Sequence, residues 1–418
     1  MSTPSSSLPT AAALPSDSWK AFNGPRLRGP LAKVLCLDDF QQLARKRLPR
    51  SIYGYVAGAA ETNASLRDNR DAFEEWGFVP RVLCKVARRT QHVSLFGREY
   101  ASPFGIAPMG LMALSALQGD LVLARAAGRA GIPFVLSGTS LTPMEQVMRA
   151  APGSWFQAYL PGDESRIDAL LERVQRTGCD TLVVTVDLPV AGNRENNIRA
   201  GFSTPLRPGL RLAWDGLTHP RWVLGTLART LWQGMPHFEN SFAERGAPVI
   251  SRNVDRDFSQ RDHFDWSHIA RIRQRWAGNL VVKGILSDRD ATLAREHHVD
   301  GIIVSNHGGR QLDGAVSALR TLPEIVIAAR GMPVMLDGGV RRGSDVLKAL
   351  SLGARMVFVG RPFNFAAAVA GEAGVAHAID LLRAEVDRNL AMLGVTKPGA
   401  LNTEHLMNLK GSAFRSAT

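Results

Sequence analysis

The sequence predicts an α/β fold in which eight parallel strands alternate with helices and close on themselves, a (β/α)8 TIM barrel, and three features carry that expectation. From about residue 104 a short β-rich apolar run, a Gly-rich or polar turn and a stretch of helical spacing recur as one unit. The apolar runs do not alternate with polar residues, so each strand is buried on both faces, as in a parallel sheet covered by helices. Eight runs can be counted, and their roughly 20-residue spacing leaves room for one crossover helix between most of them. A doubly wound open sheet would need no eighth strand.

In chain order, residues 1–30 read as a flexible tail. The opening MSTPSSSLPTAAALPSDS lacks the basic start and long apolar segment of a secretory signal, and six Ser and five Pro fall in the first thirty positions. Residues 31–100 form a preamble packing on the barrel, helical around DDFQQLARKRLP and passing through a β-hairpin near QHVSLFGREY. The barrel spans 101–395, with strands FGIAP at 104, PFVLS at 133, WFQAYL at 155, TLVVTVD at 181, LVVKG at 280, GIIVSN at 301, PVMLDGG at 333 and MVFVG at 356. GDLVLARAAGRAG from Gly119 and GSDVLKALSLGA from Gly343 show the intervening helices, the second opening on Ser344 as N-cap. About 95 residues separate the fourth and fifth strands, far more than a crossover requires, so a long insertion follows strand 4 at about 195–263. Residues 396–418 read as a C-terminal tail.

The 418 residues, 45% hydrophobic and 21% charged, suit a folded soluble body with a sizeable core. A net charge of +12 favours anionic substrates, phosphate-bearing cofactors, nucleic acid or an acidic lipid surface. No Lys/Arg run alternates with aromatics and no zinc-finger spacing is present, which sets nucleic acid aside. Three distant cysteines, Cys36, Cys84 and Cys179, argue against a disulfide framework and a Cys metal site, and point to a reducing, cytoplasmic compartment; no metal is expected.

Chemistry in such barrels collects at the carboxyl ends of the strands. The polar residues there are Gln157 and Tyr159, Thr185 and Asp187, Lys283, then Ser305, Asn306, His307 and Arg310, Asp337, and finally Gly360 and Arg361. DGGVRRGSD after strand 7 and VGRP after strand 8 combine glycines, cations and the helix N-terminus at Gly343–Ser344, the elements of a phosphate site. Lys283 stands where a barrel aldolase keeps a Schiff-base lysine, and equally where a cation could stabilise a cofactor anion. His307 is the histidine set at a strand end among glycines, suited to general acid–base work, with Asp187 as the carboxylate that would raise its basicity. Arg310 offers a planar fork for a substrate carboxylate. A base beside a fork implies an anionic substrate that loses a proton.

SNHGGRQLDG, with IAPMG, FQAY, TVDLP, VKGI, LDGGVRRGSDV and VGRP in that order, resembles the FMN-dependent 2-hydroxy acid dehydrogenase and oxidase family over about residues 36–395. The resemblance implies oxidation of an L-2-hydroxy acid to the 2-keto acid by bound FMN. It makes His307 the base and Asp187 the support of its imidazolium. Arg310, Arg194 and Tyr55 would hold the carboxylate, and Tyr159 would bond the substrate oxygen. For FMN it implies Pro108, Met109 and Gly110, Ser137, Gln157, Thr185, Lys283 near the flavin N1, and Ser305. The phosphate would lie on Asp337, Gly338, Gly339, Val340, Arg341, Gly360 and Arg361, and the enzyme would assemble as a tetramer.

Thr139 stands where plant-type glycolate oxidases carry a tryptophan, leaving room for a larger substrate side chain, lactate- or mandelate-like. Gly110, where those oxidases have alanine, resembles the bacterial L-lactate and mandelate dehydrogenases, which pass electrons to a membrane quinone; the alternative acceptor is oxygen. Met109 replaces the Thr or Val of many relatives. Residues 205–237 hold three tryptophans, four arginines and one acidic residue, a composition suited to peripheral docking on the inner face of the cell membrane. A lid or an oligomer contact is the other reading.

Overall fold

The computed structural model describes residues 29–203, 209–251 and 261–410. The tail expected over 1–30 therefore lies, apart from its last two residues, outside the described residues, as do 205–208 of the Trp- and Arg-rich segment and 411–418.

All eight apolar runs are strands: β1 Phe104–Ile106, β2 Val135–Ser137, β3 Trp155–Ala158, β4 Thr181–Thr185, β5 Asn279–Ile285, β6 Gly301–Val304, β7 Val334–Asp337 and β8 Met356–Val359. They pair in parallel in the order β1–β8–β7–β6–β5–β4–β3–β2, and a parallel bridge from Ile106 to Phe134 joins β1 to the β2 side, closing the cylinder. The fold is the expected TIM barrel.

Strand periodicity explains where the polar residues go. Val135, Trp155, Val183, Val281, Ile303, Met335 and Phe358 form an interior cluster distinct from the layer between strands and helices. Side chains two residues further along a strand face the same way. The next interior layer, at the carboxyl ends, is thus Ser137, Gln157, Thr185, Lys283, Ser305, Asp337 and Gly360. The opposite end is plugged by the hairpin Val93–Leu95 and Arg98–Tyr100, whose Leu95 and Tyr100 join the interior cluster. Trp155 Nε1 donates to Tyr100 Oη at 3.2 Å. One end of the barrel is apolar and shut, and the other polar and open.

Helices Leu37–Arg47, Arg50–Ala57 and Ala64–Glu74 wrap the outside. Helix Arg361–Met392 is long and apolar enough to cross a membrane, but it kinks at Ala370–Gly371 and buries Phe363, Val375, Leu382 and Val386 in the core. It also carries Asp380, Arg383, Glu385 and Asp387, as a barrel helix can and a bilayer span rarely does. Near the C-terminus Leu406–Asn408 pairs antiparallel with Trp76–Phe78, and Glu75 holds Arg320 and Lys410 beside that pair.

The described part of the insertion after β4 carries the helices Glu195–Ala200 and Leu210–Thr218 and a run from Pro220 to Trp232 interrupted by a π-helical turn at Val223–Leu227. Trp222 is buried and its Nε1 donates to Leu114 O at 2.8 Å, clamping the segment to the barrel. This corrects the reading of all three tryptophans as surface groups: Trp214 and Trp232 are exposed, with Leu217, Leu224, Leu231 and Met235. The crossover helix Trp266–Arg275 then leads into β5.

Candidate active site

The carboxyl ends of the strands surround a cavity of about 440 Å³. His307 lines it with φ +58°, a left-handed conformation that costs a non-glycine residue energy, and Gly308 and Gly309 follow at +64° and +75°. Three left-handed residues in a row explain why a helix cannot form there and why glycines follow the histidine. The turn is over-determined: His307 N donates to Ser305 Oγ at 2.9 Å, and a Cβ on Gly309 would lie 2.7 Å from Leu66 N.

His307 Nδ1 lies 2.8 Å from Asp187 Oδ1 and its Nε2 3.3 Å from Tyr159 Oη. Asp187 fixes the tautomer, so Nδ1 carries the proton and the Nε2 lone pair is on the Tyr159 side. Burial pushes the Tyr159 hydroxyl up to about 12, leaving it a neutral donor. Burial would also raise Asp187, but the facing His307 and then Lys283 hold its carboxyl below the ordinary value. For His307 burial wins in the other direction: it lowers the imidazole pKa although Asp187 opposes it. The expectation that Asp187 raises basicity thus gives the correct sign of one interaction and not the net direction. At neutral pH the pair is a carboxylate and a neutral imidazole, the form a general base needs.

Among the described residues, six cationic side chains line the cavity, Arg194, Arg261, Lys283, Arg310, Arg341 and Arg361, against one carboxylate, Asp337. Arg310 Nη1 donates to the carbonyls of Tyr55 and Gly58 at 2.8 and 2.9 Å, and its guanidinium lies 4.9 Å from the centre of the Tyr55 ring. Arg194 reaches Arg310 O and Gln311 Oε1. Burial first, then crowding by Arg194, lowers Arg310 to about 10; burial and Arg70 lower Arg341 to about 10. Arg361 is pushed well below its ordinary value by burial and by Arg310 and Arg341. Crowded buried cations stabilise whatever anion enters between them.

Lys283 bonds Ser305 Oγ at 2.8 Å and lies 3.1 Å from Asp337 Oδ2. Burial disfavours its ammonium, yet Asp337 and Asp187 outweigh that and raise its pKa. A Schiff-base lysine must lose its proton near neutral pH, so this environment removes the aldolase reading.

A family model described as FMN-dependent dehydrogenase matches residues 44–408. The chain belongs to the FMN-dependent dehydrogenase family. It is 39% identical over 379 residues to (S)-mandelate dehydrogenase of Pseudomonas putida, covering 89% of this chain and 93% of that protein. It is 37% identical over 382 residues to L-lactate dehydrogenase of Ectopseudomonas mendocina, covering 88% and 97%. The crystal structure of the monotopic membrane protein (S)-mandelate dehydrogenase superposes with a TM-score of 0.83 at 37% identity, over 90% of this chain and all of that one.

The cofactor of this FMN-dependent family fits the chemistry of the cavity. Gln157 Nε2, Thr185 Oγ1 and Asp337 Oδ1 are buried and have no hydrogen-bond partner among the described residues, so the carboxyl-end layer holds polar atoms awaiting a polar ligand. Pro108, Met109, Gly110, Thr185, Lys283, Asp337–Arg341, Gly360 and Arg361 line the cavity, as do Tyr55, Tyr159 and Arg194. Ser137, Gln157, Ser305 and Asp187 do not line it and form a hydrogen-bonded layer behind: Ser137 Oγ reaches Gln157 Oε1 and Thr139 Oγ1, and Ser305 joins Lys283 to His307. A Cβ on Gly110 would overlap Thr139 Oγ1, so the two positions that depart from the glycolate oxidase pattern are in direct contact.

One expected phosphate donor is not free. Ser344 is not the N-cap of helix Gly343–Ser351; Arg342 is, and the Asp345 carboxylate accepts the N–H groups of Arg341 and Arg342 while Glu385 accepts that of Gly343 at 2.6 Å. Carboxylates already satisfy that helix end, which leaves the Gly338–Gly339 turn and the Gly360–Arg361 helix start for a phosphate.

Several residues at the site carry no motif. Phe202 stacks on Tyr55 with ring centres 4.4 Å apart, and Arg261 lies over the Tyr159 ring at 4.8 Å; both come from the insertion region. Asn69, on the outer helix Ala64–Glu74, exchanges two amide hydrogen bonds with Asn306 at 2.8 and 3.0 Å, and Arg70 donates to Gly339 O.

Gly339 has φ +79°, and a Cβ there would overlap Asn69 O. Gly339→Ala is expected to lower FMN affinity by at least tenfold, measured by flavin titration of the apoprotein. Gly331→Ala, equally left-handed at φ +93° but with nothing within 4 Å of a Cβ, should cost only stability, about 1 kcal/mol, and keep its flavin.

Proposed function

We propose that this chain oxidises an L-2-hydroxy acid, lactate- or mandelate-like, to the 2-keto acid and delivers the two electrons through FMN to a membrane quinone. The observation that supports it most is the imidazole of His307, backed by Asp187 at 2.8 Å, in the same cavity as the guanidinium of Arg310. Arg310, with Arg194 and Tyr55, binds the substrate carboxylate, and Tyr159 donates to the C2 oxygen. His307 Nε2 takes the proton released as C2 loses two electrons, and Asp187 stabilises the imidazolium that results. FMN, when bound, supplies the two-electron acceptor; Lys283 beside it favours the reduced anionic form. Thr185 would hold the ring, supported by Gln157 and Ser305 in the layer behind, and Gly339, Gly360, Arg341 and Arg361 the phosphate.

Purified protein should be yellow and should bleach anaerobically with L-lactate or (S)-mandelate but not with the opposite enantiomers. A colourless protein, or bleaching indifferent to enantiomer, would refute the proposal. The acid limb of the pH profile follows from the sign of the His307 shift. Only neutral imidazole accepts a proton, so the reduction rate should be flat near neutrality and fall as pH drops through a midpoint below the ordinary imidazole value, a profile readable by stopped-flow absorbance.

The exposed stripe Trp214, Leu217, Leu224, Leu231, Trp232 and Met235 supports peripheral membrane docking through the insertion. Six large exposed apolar groups on and just after two successive helical segments, with Arg221 and Arg229 among them, suit the headgroup boundary of a bilayer. A Trp214→Ser/Leu224→Ser/Trp232→Ser variant should fail to float with phospholipid vesicles; flotation equal to wild type would refute docking by this face.

A further inference from the structure

A second cavity, of about 450 Å³, lies behind the wall of the first. Two short helices make that wall. Arg50–Ala57 presents Tyr55 and Val56 to the active site and Tyr53 and Gly54 to the second cavity; Glu195–Ala200 presents Asn197 and Ile198 to one and Asn196 and Arg199 to the other. They meet closely at Gly54, where a Cβ would overlap that of Ala200. The far side belongs to the insertion: His219, which lies between Leu217 and Leu224 of the exposed stripe, lines the cavity.

The rim is cationic. Arg45, Arg50 and Arg199 line it, and Arg47 stands near enough to Arg221 for that charge, after burial, to depress its own. Among the described residues no carboxylate lies within ion-pair distance of Arg45, Arg47, Arg50 or Arg221. The acids of the adjoining helices are engaged: Glu195 pairs with Arg199, and Asp215 accepts the Ser51 N–H. Clustered cations without counter-charges are self-repelling, and guanidinium forks match phosphate oxygens. Leu48 and Tyr53 give the same cavity apolar surface.

From this juxtaposition we infer that the second cavity seats the phosphate of an anionic phospholipid, whose acyl chains lie along Leu217 and Leu224. The assignment rests on the docking reading above, because the stripe sets the cavity at headgroup depth. It adds a lipid preference: the apolar face gives adhesion to any bilayer, and the arginine cavity selects the anionic headgroup.

The test is co-flotation of the FMN-loaded protein with vesicles of phosphatidylcholine, with and without about a third of phosphatidylglycerol. Wild type should favour the anionic vesicles, and Arg45→Gln/Arg50→Gln should lose about thirty-fold in partitioning to them while binding phosphatidylcholine unchanged. Arg330→Gln/Arg355→Gln, which removes the same charge from exposed sites before β7 and β8 at the shut end of the barrel, should behave as wild type. Equal losses in both variants would mean bulk charge and overturn the site, as would an unaltered preference in the first. Calorimetry with inorganic phosphate separates the sources: binding to wild type but not to Arg45→Gln/Arg50→Gln, without any preference for phosphatidylglycerol, would make this a free-phosphate site and overturn the lipid assignment. Loss of all flotation in the stripe variant, with the arginine variant like wild type, sinks the headgroup site and leaves docking standing. The reverse pattern sinks docking by the stripe alone.

Discussion

His307→Gln is expected to stay yellow and to reduce its flavin about 10²- to 10⁴-fold more slowly, the range a positioned general base contributes. Glutamine can occupy the space and accept the Tyr159 hydrogen bond, but it cannot take the proton that C2 oxidation releases. The cofactor should remain, because the cavity-lining residues at the strand ends, Thr185, Lys283 and Asp337, do not depend on the imidazole ring. His307 N bonds Ser305 Oγ through the backbone, which the substitution keeps. Single-turnover absorbance with saturating substrate reads the chemical step alone. A rate within a few-fold of wild type would remove His307 from the role of base.

Arg310→Lys should weaken substrate use by about 10²- to 10³-fold in the second-order rate of flavin reduction, with most of the loss in saturation rather than in the limiting rate. The carboxylate is bound in the ground state and the transition state alike, so losing its fork raises the concentration needed more than it slows chemistry. Truncating one partner of a buried charged contact costs about 2–5 kcal/mol, which sets the magnitude. Lysine retains the charge but cannot span the Tyr55 and Gly58 carbonyls and a carboxylate together, since those two bonds come from one Nη of a planar group. A loss confined to the limiting rate would show that Arg310 acts on the chemistry and not on the anchor.

The barrel was legible because its strands are buried on both faces: an uninterrupted run such as TLVVTVD has no other place in a soluble fold, and the residue two beyond each inward side chain is then committed to the open end. The His307 turn was legible because left-handed backbone demands glycine, and the glycines stand beside the residues they free. What escaped has no local signal. Asn69 and Asn306 are 237 positions apart and meet only when an outer helix crosses the barrel mouth. Glu385 caps a helix 42 residues upstream, so the N-terminus at Gly343 looked open when it was not. Arg261 and Phe202 come from the insertion region, where neither strand nor helix period points at the cavity. Among the tryptophans, Trp222 is buried while Trp214 and Trp232 are exposed, which composition alone cannot distinguish.

The net charge of +12 resolves into separate demands. Among the described residues six cations line the active-site cavity, and another group lines the second cavity, which His219 of the insertion also lines.

The most direct test is the structure of the FMN-loaded protein with a bound 2-keto acid product. The ligand carboxylate is expected on Arg310, joined by Arg194 and Tyr55, with the C2 oxygen within about 2.6–3.2 Å of both His307 Nε2 and Tyr159 Oη. A carboxylate bound elsewhere, or a C2 centre beyond reach of that imidazole, would contradict the proposed reaction.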